Sequence, residues 1–490
     1  MAKKQLFKLA KHQVYASEMM DASDVLAIFY EAGTGKTMCV LDWLYRKFKN
    51  NEIKNALIVC PANLVSNWDA SIDKMLLFEG YTAYGVRRMH EMIEIRSFQR
   101  TYTNVVTTTR KRDGTVKEKK VIKTRDDIAH PWGAIIVDES QGLGAHNSSQ
   151  TKSLLKMIPL TTHRYILSGT PVSGGGGQQD YKKLYGQLTF LDPELWPSWT
   201  AFCRELVTQY DNFNKPIAYR NEDCLSLMKA YGIVARLQDC YDMPDSIDTV
   251  IPITLAEPIV YNDVVDGHMK PYNIDIKSGG GKFIKLMELC SGFLKTIDEK
   301  STPYDCNKLL AVKDIIEGTD DKIVIFCSYR YSIDAVAKLC SKYGKTIIYD
   351  GRLSEKDKTI YKEFQEGNAR FIVCQYLSGG TGIDLYASHT MIFYEPSFSS
   401  LIMEQSKARI MRKGQEKKCL YYWLSTKNTI EAKVVETVQN GLTASTEMLN
   451  EWAKEKTLVK ASASMTTAQI QNDLESEDTP SDEEVHLVPD

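Results

Sequence analysis

Lys36 and Thr37 follow the glycine-spaced turn Glu31-Ala32-Gly33-Thr34-Gly35, which itself follows an apolar run from Val25 to Tyr30. A helical pattern begins at once, with Met38, Val40, Leu41 and Leu44 on one face. Strand, glycine turn, Lys-Thr and helix make a phosphate cradle. Glycines let backbone N–H groups approach an anion, and the helix N-terminus adds partial positive charge. The lysine reaches the β- and γ-phosphates, and the threonine hydroxyl binds Mg²⁺. The strict pattern has a further glycine where Tyr30 stands, so a plain strand-to-helix turn is the competing reading.

A second site-forming stretch is Ile135-Ile136-Val137-Asp138-Glu139-Ser140-Gln141. A buried strand there delivers two carboxylates at its C-terminal end, where ligands of parallel sheets bind. A phosphate-bound Mg²⁺ needs a carboxylate, for which Asp138 fits; an attacking water needs an orienting group, for which Glu139 fits. Ser168-Gly169-Thr170-Pro171 ends another apolar run. Far downstream, Arg409 and Arg412 are three residues apart and share one helix face. Two guanidiniums so placed can neutralise charge on a transferring phosphoryl group; a solvated basic helix is the bland alternative.

These residues need buried strands to hold them. Short runs apolar at every position recur at 25–30, 56–60, 134–137 and 165–167, and again at 323–327, 346–349, 371–374, 391–394 and 420–424. Such runs suit parallel strands covered on both faces. The expected class is α/β, with domains at about 1–245 and 301–440, a connector at 246–300, and a helix and acidic tail at 441–490. Residues 104–125 alternate and turn at Arg112-Asp113-Gly114, reading as a basic hairpin inserted in the first domain.

The net charge of −2 hides an uneven distribution. Residues 441–490 hold 11 acidic and 3 basic side chains, so the remaining chain is net basic. The final thirty residues lack Lys and Arg and are rich in Ser, Thr, Asp and Glu, a disorder-type composition. The 11 cysteines are scattered with no Cys-x-x-Cys pair, the usage of reduced thiols rather than a disulfide or zinc framework. No signal-peptide core or membrane-length run is present, so a cytoplasmic protein is expected.

In their joint order these motifs resemble those of helicase superfamily 2, and within it the Swi/Snf-like branch. Lys11-His12-Gln13 looks like the adenine-reading glutamine motif, and Glu31 to Thr37 like motif I, whose Swi/Snf form also lacks the first glycine. Leu57 to Pro61 through Asn67-Trp68 is similar to motif Ia, Asp138 to Gln141 to motif II, and Ser168 to Pro171 to motif III. Lys322 to Ser328 looks like motif IV, Ser378-Gly379-Gly380-Thr381-Gly382-Ile383-Asp384-Leu385 like motif V, and Gln405 to Gln415 like motif VI. Thr429-Ile430-Glu431 matches the Thr-Ile-Glu that usually follows.

The resemblance implies two tandem RecA-like parallel-sheet lobes with an ATP cleft between them. It implies ATP and Mg²⁺ as cofactors. The ATP site would comprise Gln13, Glu31, Ala32, Gly33, Thr34, Gly35, Lys36, Thr37, Gly382 and Asp384. Thr37 and Asp138 would hold the metal, and Lys36, Glu139, Arg409 and Arg412 would act in catalysis. Gln141, Ser168, Gly169, Thr170 and Gln405 would couple the lobes. Pro61, Asn67, Trp68, Ser378, Gly379, Gly380 and Thr381 would touch nucleic acid, and Lys119, Lys120 and Lys123 of the hairpin are further candidates. Position 141 is glutamine where the family usually has histidine, which puts the coupling at that point in question.

The implied activity is an ATP-dependent motor, a monomer translocating on duplex, forked or branched DNA without sequence preference and remodelling forks or junctions in replication, recombination or repair. Three alternatives stand beside it: a strand-separating DNA or RNA helicase, the motor subunit of a restriction or defence complex, and a catalytically inactive scaffold. The compact chain without accessory domains looks more like phage or bacterial members than eukaryotic remodellers. The hairpin reads either as a DNA contact or as a solvated insertion. The acidic tail shields the DNA surface, recruits a protein partner or simply solubilises.

Overall fold

The computed structural model describes residues 6–110, 116–144, 146–172, 180–212, 214–274, 279–298, 300–354, 357–379 and 383–441. The expected turn at 112–114, the glycine run at 174–177, Gly380, Thr381 and Gly382, and the tail at 461–490 lie outside them. So do the side chains of Lys119 and Lys120.

Helix α1 (Lys11–Ala22) precedes strand β1 (Val25–Tyr30), which feeds α2 (Lys36–Lys49). Then come β2 (Ala56–Cys60), α3 (Val65–Lys74), α4 (Ala83–Met92), β3 (Ile93–Ser97), the pair β4 (Tyr102–Arg110) and β5 (Val116–Thr124), β6 (Ala134–Asp138) and β7 (His163–Leu167). A short hairpin, β8 (Val207–Tyr210) with β9 (Pro216–Tyr219), precedes β10 (Gly232–Ala235). The first sheet runs in the order β10-β1-β7-β6-β2-β3, with every pairing parallel.

A second chain of strands follows: β11 (Ser246–Ile253), the small antiparallel pair β12 (Phe293–Lys295) and β13 (Ser301–Pro303), then β14 (Ile323–Cys327), β15 (Thr346–Tyr349), β16 (Phe371–Gln375), β17 (Thr390–Phe393) and β18 (Cys419–Thr426). The second sheet runs β11-β18-β17-β14-β16-β15 and is again parallel throughout. The central strands β1, β2, β6, β14 and β16 are buried almost along their whole lengths, because helices cover both sheet faces. The fold is therefore α/β, built on two six-stranded parallel sheets.

The stretch 246–300 differs from the expected connector. Its first eight residues form β11, which pairs along its full length with β18 at the edge of the second sheet. Asp248 of β11 accepts from Trp423 Nε1 at 2.7 Å and pairs with Lys407 at 2.8 Å. The helices Pro258–Asp266 and Gly279–Cys290 bury Tyr261, Val264, Leu286 and Met287 in the same core as Trp423. Only about ten residues, 236–245, pass between the sheets. The reason is the edge position: β11 shows five exposed residues at its start, so it lacks the apolar run that marks a doubly covered strand.

The basic hairpin pairs from Tyr102↔Thr124 to Arg110↔Val116. Its base is fastened to the helix Ser149–Lys156: Ser153 Oγ donates to Thr101 O at 3.0 Å and Lys156 Nζ to Ile122 O at 2.7 Å. All eleven cysteines are free thiols, nine of them buried. Among the described residues no helix is long and apolar enough to cross a membrane.

Among the described residues, Lys308 and Glu431 form a fully buried charge pair beside the second sheet. Lys308 Nζ also donates to Tyr394 O at 2.8 Å, and Glu431 accepts from Thr426 N and Oγ1 at 2.9 and 2.7 Å. With all these partners present the desolvation cost is offset; with one removed it is not. Lys308→Met is expected to cost about 3–5 kcal/mol, because Glu431 is left charged and unpaired. The double variant Lys308→Met/Glu431→Leu should recover most of that loss, as read by the midpoint of urea unfolding.

Candidate active site

The strand order explains why distant motifs meet. The chain leaves β1, passes over two strand positions to β2 and β3, then returns through β6 and β7 to the side of β1. Parallel strands place their C-terminal ends on one edge, and such a reversal opens a crevice there. The turn after β1, the Asp138-Glu139 pair after β6 and Ser168 to Thr170 after β7 consequently share that edge.

Within the turn, Gly33 and Gly35 sit at φ 87° and 84°, the left-handed region that side chains resist. A Cβ on Gly35 would come within 2.2 Å of Gln13 Nε2. Gln13 is buried, and its amide is occupied: Oε1 accepts from Ala10 N at 2.9 Å, and Nε2 donates to Thr34 O at 3.2 Å and Gly35 O at 3.4 Å. Gln13, expected to read an adenine, braces the turn. His12 Nε2 lies 2.8 Å from the same Thr34 carbonyl. Glu31 anchors the other side, its carboxylate accepting from Leu237 N at 2.8 Å.

Lys36 opens α2, with Thr37 half-buried beside it. The Lys36 ammonium donates to Tyr30 O at 2.7 Å and Glu31 O at 3.3 Å. Burial pushes it below the ordinary lysine value, against the pull of Glu139 and Asp138. Asp138 is buried and pushed up to about 6, first by burial and then by the Glu139 carboxylate. One Asp138 oxygen accepts from Glu139 N at 2.9 Å and the other from Trp68 Nε1 at 2.8 Å.

Glu139 adopts φ 48°, an uncommon conformation for a non-glycine residue and one that recurs at functional sites. Its carboxylate accepts from Gln141 Nε2 at 2.6 Å, and Gln141 Oε1 accepts from Ser168 Oγ at 2.6 Å. Ser168 Oγ in turn accepts from Thr170 N at 3.0 Å. Glutamine at 141 therefore bridges the strand ends of β6 and β7, donating with one amide atom and accepting with the other. The helix Lys183–Leu191 closes the assembly from behind. Gln187 accepts from Ser140 Oγ at 2.7 Å and donates to Pro171 O at 2.9 Å.

The second lobe faces this edge with residues 404–412. A cleft of about 370 Å³ is lined by Lys36, Glu139 and Thr170 on one side and by Gln405 and Arg409 on the other. Arg409 is buried; burial and the neighbouring Arg412 push its guanidinium down, and Asp384 and Glu139 oppose that. Arg409 Nε donates to Gln405 O at 2.9 Å. Arg412 does not line the cleft: it pairs with Asp384, which also stands 3.9 Å from Lys74 of the first lobe. Its Cβ nonetheless approaches within 3.3 Å of where a Cβ on Gly33 would sit.

Two family models match this two-part architecture. Residues 15–248 match the SNF2-related domain, and residues 307–414 match the helicase conserved C-terminal domain. The chain carries an SNF2-related domain followed by a helicase conserved C-terminal domain. It is similar to the DNA repair and recombination protein RDH54 of Saccharomyces cerevisiae, 22% identical over 429 residues, covering 78% of this chain and 45% of the relative. It is also similar to RAD54 of the same yeast (26% identical; 83% of this chain, 51% of the relative) and to the chromatin remodeling factor mit1 of Schizosaccharomyces pombe (24%; 84% and 30%). The SNF2-related chain thus spans about half the length, or less, of these relatives. A SWI2/SNF2 ATPase core of Sulfolobus solfataricus in complex with dsDNA is 19% identical, with 89% and 92% of the two chains covered and a TM-score of 0.40.

The expected nucleic-acid residues of this SNF2-related chain divide. Pro61, Asn67 and Ser378 are half-buried, whereas Gly379 is buried, a Cβ there falling 2.7 Å from Cys374 Cβ. Lys123 is exposed and paired with Asp126 at 2.7 Å. Trp68 is 1% exposed and points into the core, so it is not available to a nucleic acid. Sequence reasoning missed Leu237, Gln187 and the bracing role of His12; only the three-dimensional return of β10 beside β1 brings Leu237 to the turn.

Gly35→Ala is expected to weaken nucleotide binding while leaving far-ultraviolet circular dichroism unchanged, because the strain falls on the turn and on Gln13. Isothermal titration with ADP and with ATPγS reads the loss, which should be about five- to thirtyfold for the roughly 1–2 kcal/mol of left-handed strain.

Proposed function

We propose that this chain is an ATP-hydrolysing motor that moves on DNA. The observation that carries the proposal is that one cleft gathers Lys36 and Glu139 from the first sheet and Arg409 from the second. Phosphoryl transfer requires little covalent chemistry from the protein; it requires positioning and charge stabilisation. Lys36 and the N–H groups at the start of α2 would bind the phosphates. Glu139, held by Gln141, would orient the attacking water and accept its proton.

The donor set fits a hard divalent cation. Asp138 and Thr37 offer a carboxylate and a hydroxyl, and Mg²⁺ is commonly held by one or two protein oxygens plus phosphate. When bound, it supplies charge neutralisation at the phosphate oxygens. Arg409 reaches the cleft from the other lobe, so the catalytic set is complete only when both lobes engage one nucleotide. Hydrolysis would release that engagement, which is how chemistry becomes relative motion of the lobes.

DNA as the track follows from the SNF2-related domain and from the relatives whose names state DNA repair and recombination. Duplex, forked and branched DNA are the proposed substrates, with fork or junction remodelling as the outcome. Contacts through Pro61, Asn67 and Ser378 would be to the phosphate backbone, giving little sequence preference and a steep fall of affinity with salt. The hairpin β4–β5, lysine-rich in sequence, would touch the same DNA. Soluble, monomeric action inside the cell is part of this reading.

Phosphate release tests it. Wild type should hydrolyse ATP slowly alone and at least tenfold faster with duplex or forked DNA, with RNA giving no stimulation. Lys36→Ala should remove turnover with every stimulant, and Arg409→Ala should lower it by about 10³-fold while nucleotide affinity changes little. Turnover in Lys36→Ala at the wild-type rate would refute the assignment.

A further inference from the structure

Trp68, too buried for the nucleic-acid contact expected of it, is left without a role in the site. It lies on α3, is 1% exposed, and packs in the core cluster that also holds Cys60, Leu64, Ile72 and Tyr30. A buried indole N–H needs an acceptor, and backbone carbonyls or hydroxyls usually serve. Here the acceptor is the Oδ2 atom of Asp138, at 2.8 Å. The other carboxylate oxygen takes Glu139 N at 2.9 Å. Two donors on two oxygens fix the plane and the rotation of the carboxylate. Each oxygen keeps a second lone pair, so both can also face a cation.

We propose that Trp68 is a positioning residue for the metal carboxylate: its indole N–H holds Asp138 in the orientation that binds Mg²⁺. This rests on the reading that Asp138 carries Mg²⁺ with the nucleotide. Outer donors of this kind orient metal ligands, and their loss typically costs 10–100-fold in metal affinity. The placement of Trp68 has a further consequence. α3 follows β2 through Pro61, and Asn67 is the residue before Trp68. A shift of the Pro61–Asn67 segment therefore reaches Asp138 through one rigid side chain, with no intermediate residue. Trp68 thus links the proposed DNA face directly to the metal carboxylate.

Trp68→Phe removes the N–H and keeps an aromatic ring in the core. Leu64→Ala, in the same cluster, removes volume without touching a hydrogen bond. Trp68→His restores a ring N–H. Binding of a fluorescent ADP analogue is measured at equilibrium over a Mg²⁺ titration and in EDTA. Wild type should bind more tightly with Mg²⁺, with a defined half-point. Trp68→Phe should raise that half-point at least tenfold and leave binding in EDTA unchanged, and Trp68→His should recover part of the difference. Leu64→Ala should lower the unfolding midpoint while its Mg²⁺ half-point stays within twofold of wild type.

A wild-type half-point in Trp68→Phe overturns the proposal. Nucleotide binding by wild type that ignores Mg²⁺ overturns the underlying reading, and the proposal with it. Wild type also supplies a test that needs no folded variant. With the seven tryptophans labelled with ¹⁵N at the indole nitrogen, adding Mg²⁺ to the nucleotide complex should shift one protected indole resonance. Seven unmoved resonances would equally overturn the assignment.

Discussion

Three charges drawn partly or wholly out of water where the two lobes meet govern this molecule. Lys36, Asp138 and Arg409 each carry a desolvation cost, visible as a lysine and an arginine pushed down and an aspartate pushed up. Their mutual compensation is partial: Lys36 opposes Asp138 and Glu139, but Arg409 has Arg412 beside it. Such an arrangement stays folded only because neutral groups surround each charge at hydrogen-bond distance. The carbonyls of Tyr30 and Glu31 hold the lysine, the N–H groups of Trp68 and Glu139 hold the aspartate, and the carbonyl of Gln405 holds the arginine. In the proposed function, a triphosphate with its cation would supply the charges that complete the balance.

Two hydrogen-bond chains tie the C-terminal edge of the first sheet together. One runs from Glu139 through Gln141 to Ser168 and the Thr170 N–H, the other from Ser140 through Gln187 to the Pro171 carbonyl. Strand ends β6 and β7 are thus linked twice, once in front of the sheet and once through the helix behind it. Gly186 makes the second link possible, since a Cβ there would lie 2.1 Å from Leu143 O. A glutamine at 141 does the bridging with an amide that does not titrate. A histidine would do so only in the neutral state, so the bridge in this chain is independent of pH across the range where imidazole charges.

Much of this was legible in the sequence because doubly covered strands write themselves as unbroken apolar runs. All nine such runs are strands of the two sheets. The strands that escaped, β3, β10 and β11, are three of the four sheet edges. An edge strand meets water on one side and mixes polar residues in, as Ile-Glu-Ile-Arg-Ser does in β3, so the run that betrays a central strand is missing. Motif positions fixed which residues would gather but not which way they point. Trp68 illustrates the difference. With Ile72 and Met75 it forms an i, i+4, i+7 stripe, a pattern that predicts burial and outweighs an assignment by motif. Gln13 with Ala16, Ser17 and Met20 makes a similar stripe on α1, and it too turned inward.

The link between the two sheets is where local structure becomes mechanism. Residues 236–245 leave β10, touch the phosphate turn and enter β11 of the other sheet. Along the way Leu237 N donates to Glu31, the Leu237 side chain lies 3.4 Å from where a Gly33 Cβ would be, and Tyr241 reaches Thr34 O at 3.4 Å. Tyr241 also packs edge-on against His12 and beneath the ammonium of Lys413, which belongs to the second lobe. The turn is consequently not a loop that waits for phosphate in isolation. Its far side is fastened to the very segment that joins the lobes, and its open side faces Arg409. Any displacement of the turn must pull on 236–245, and any rotation of the second sheet must push on the turn. A flexible tether, which longer spacers of Gly and Ser provide, would dissipate such motion; in the proposed motor, ten residues with three contacts to one turn would transmit it.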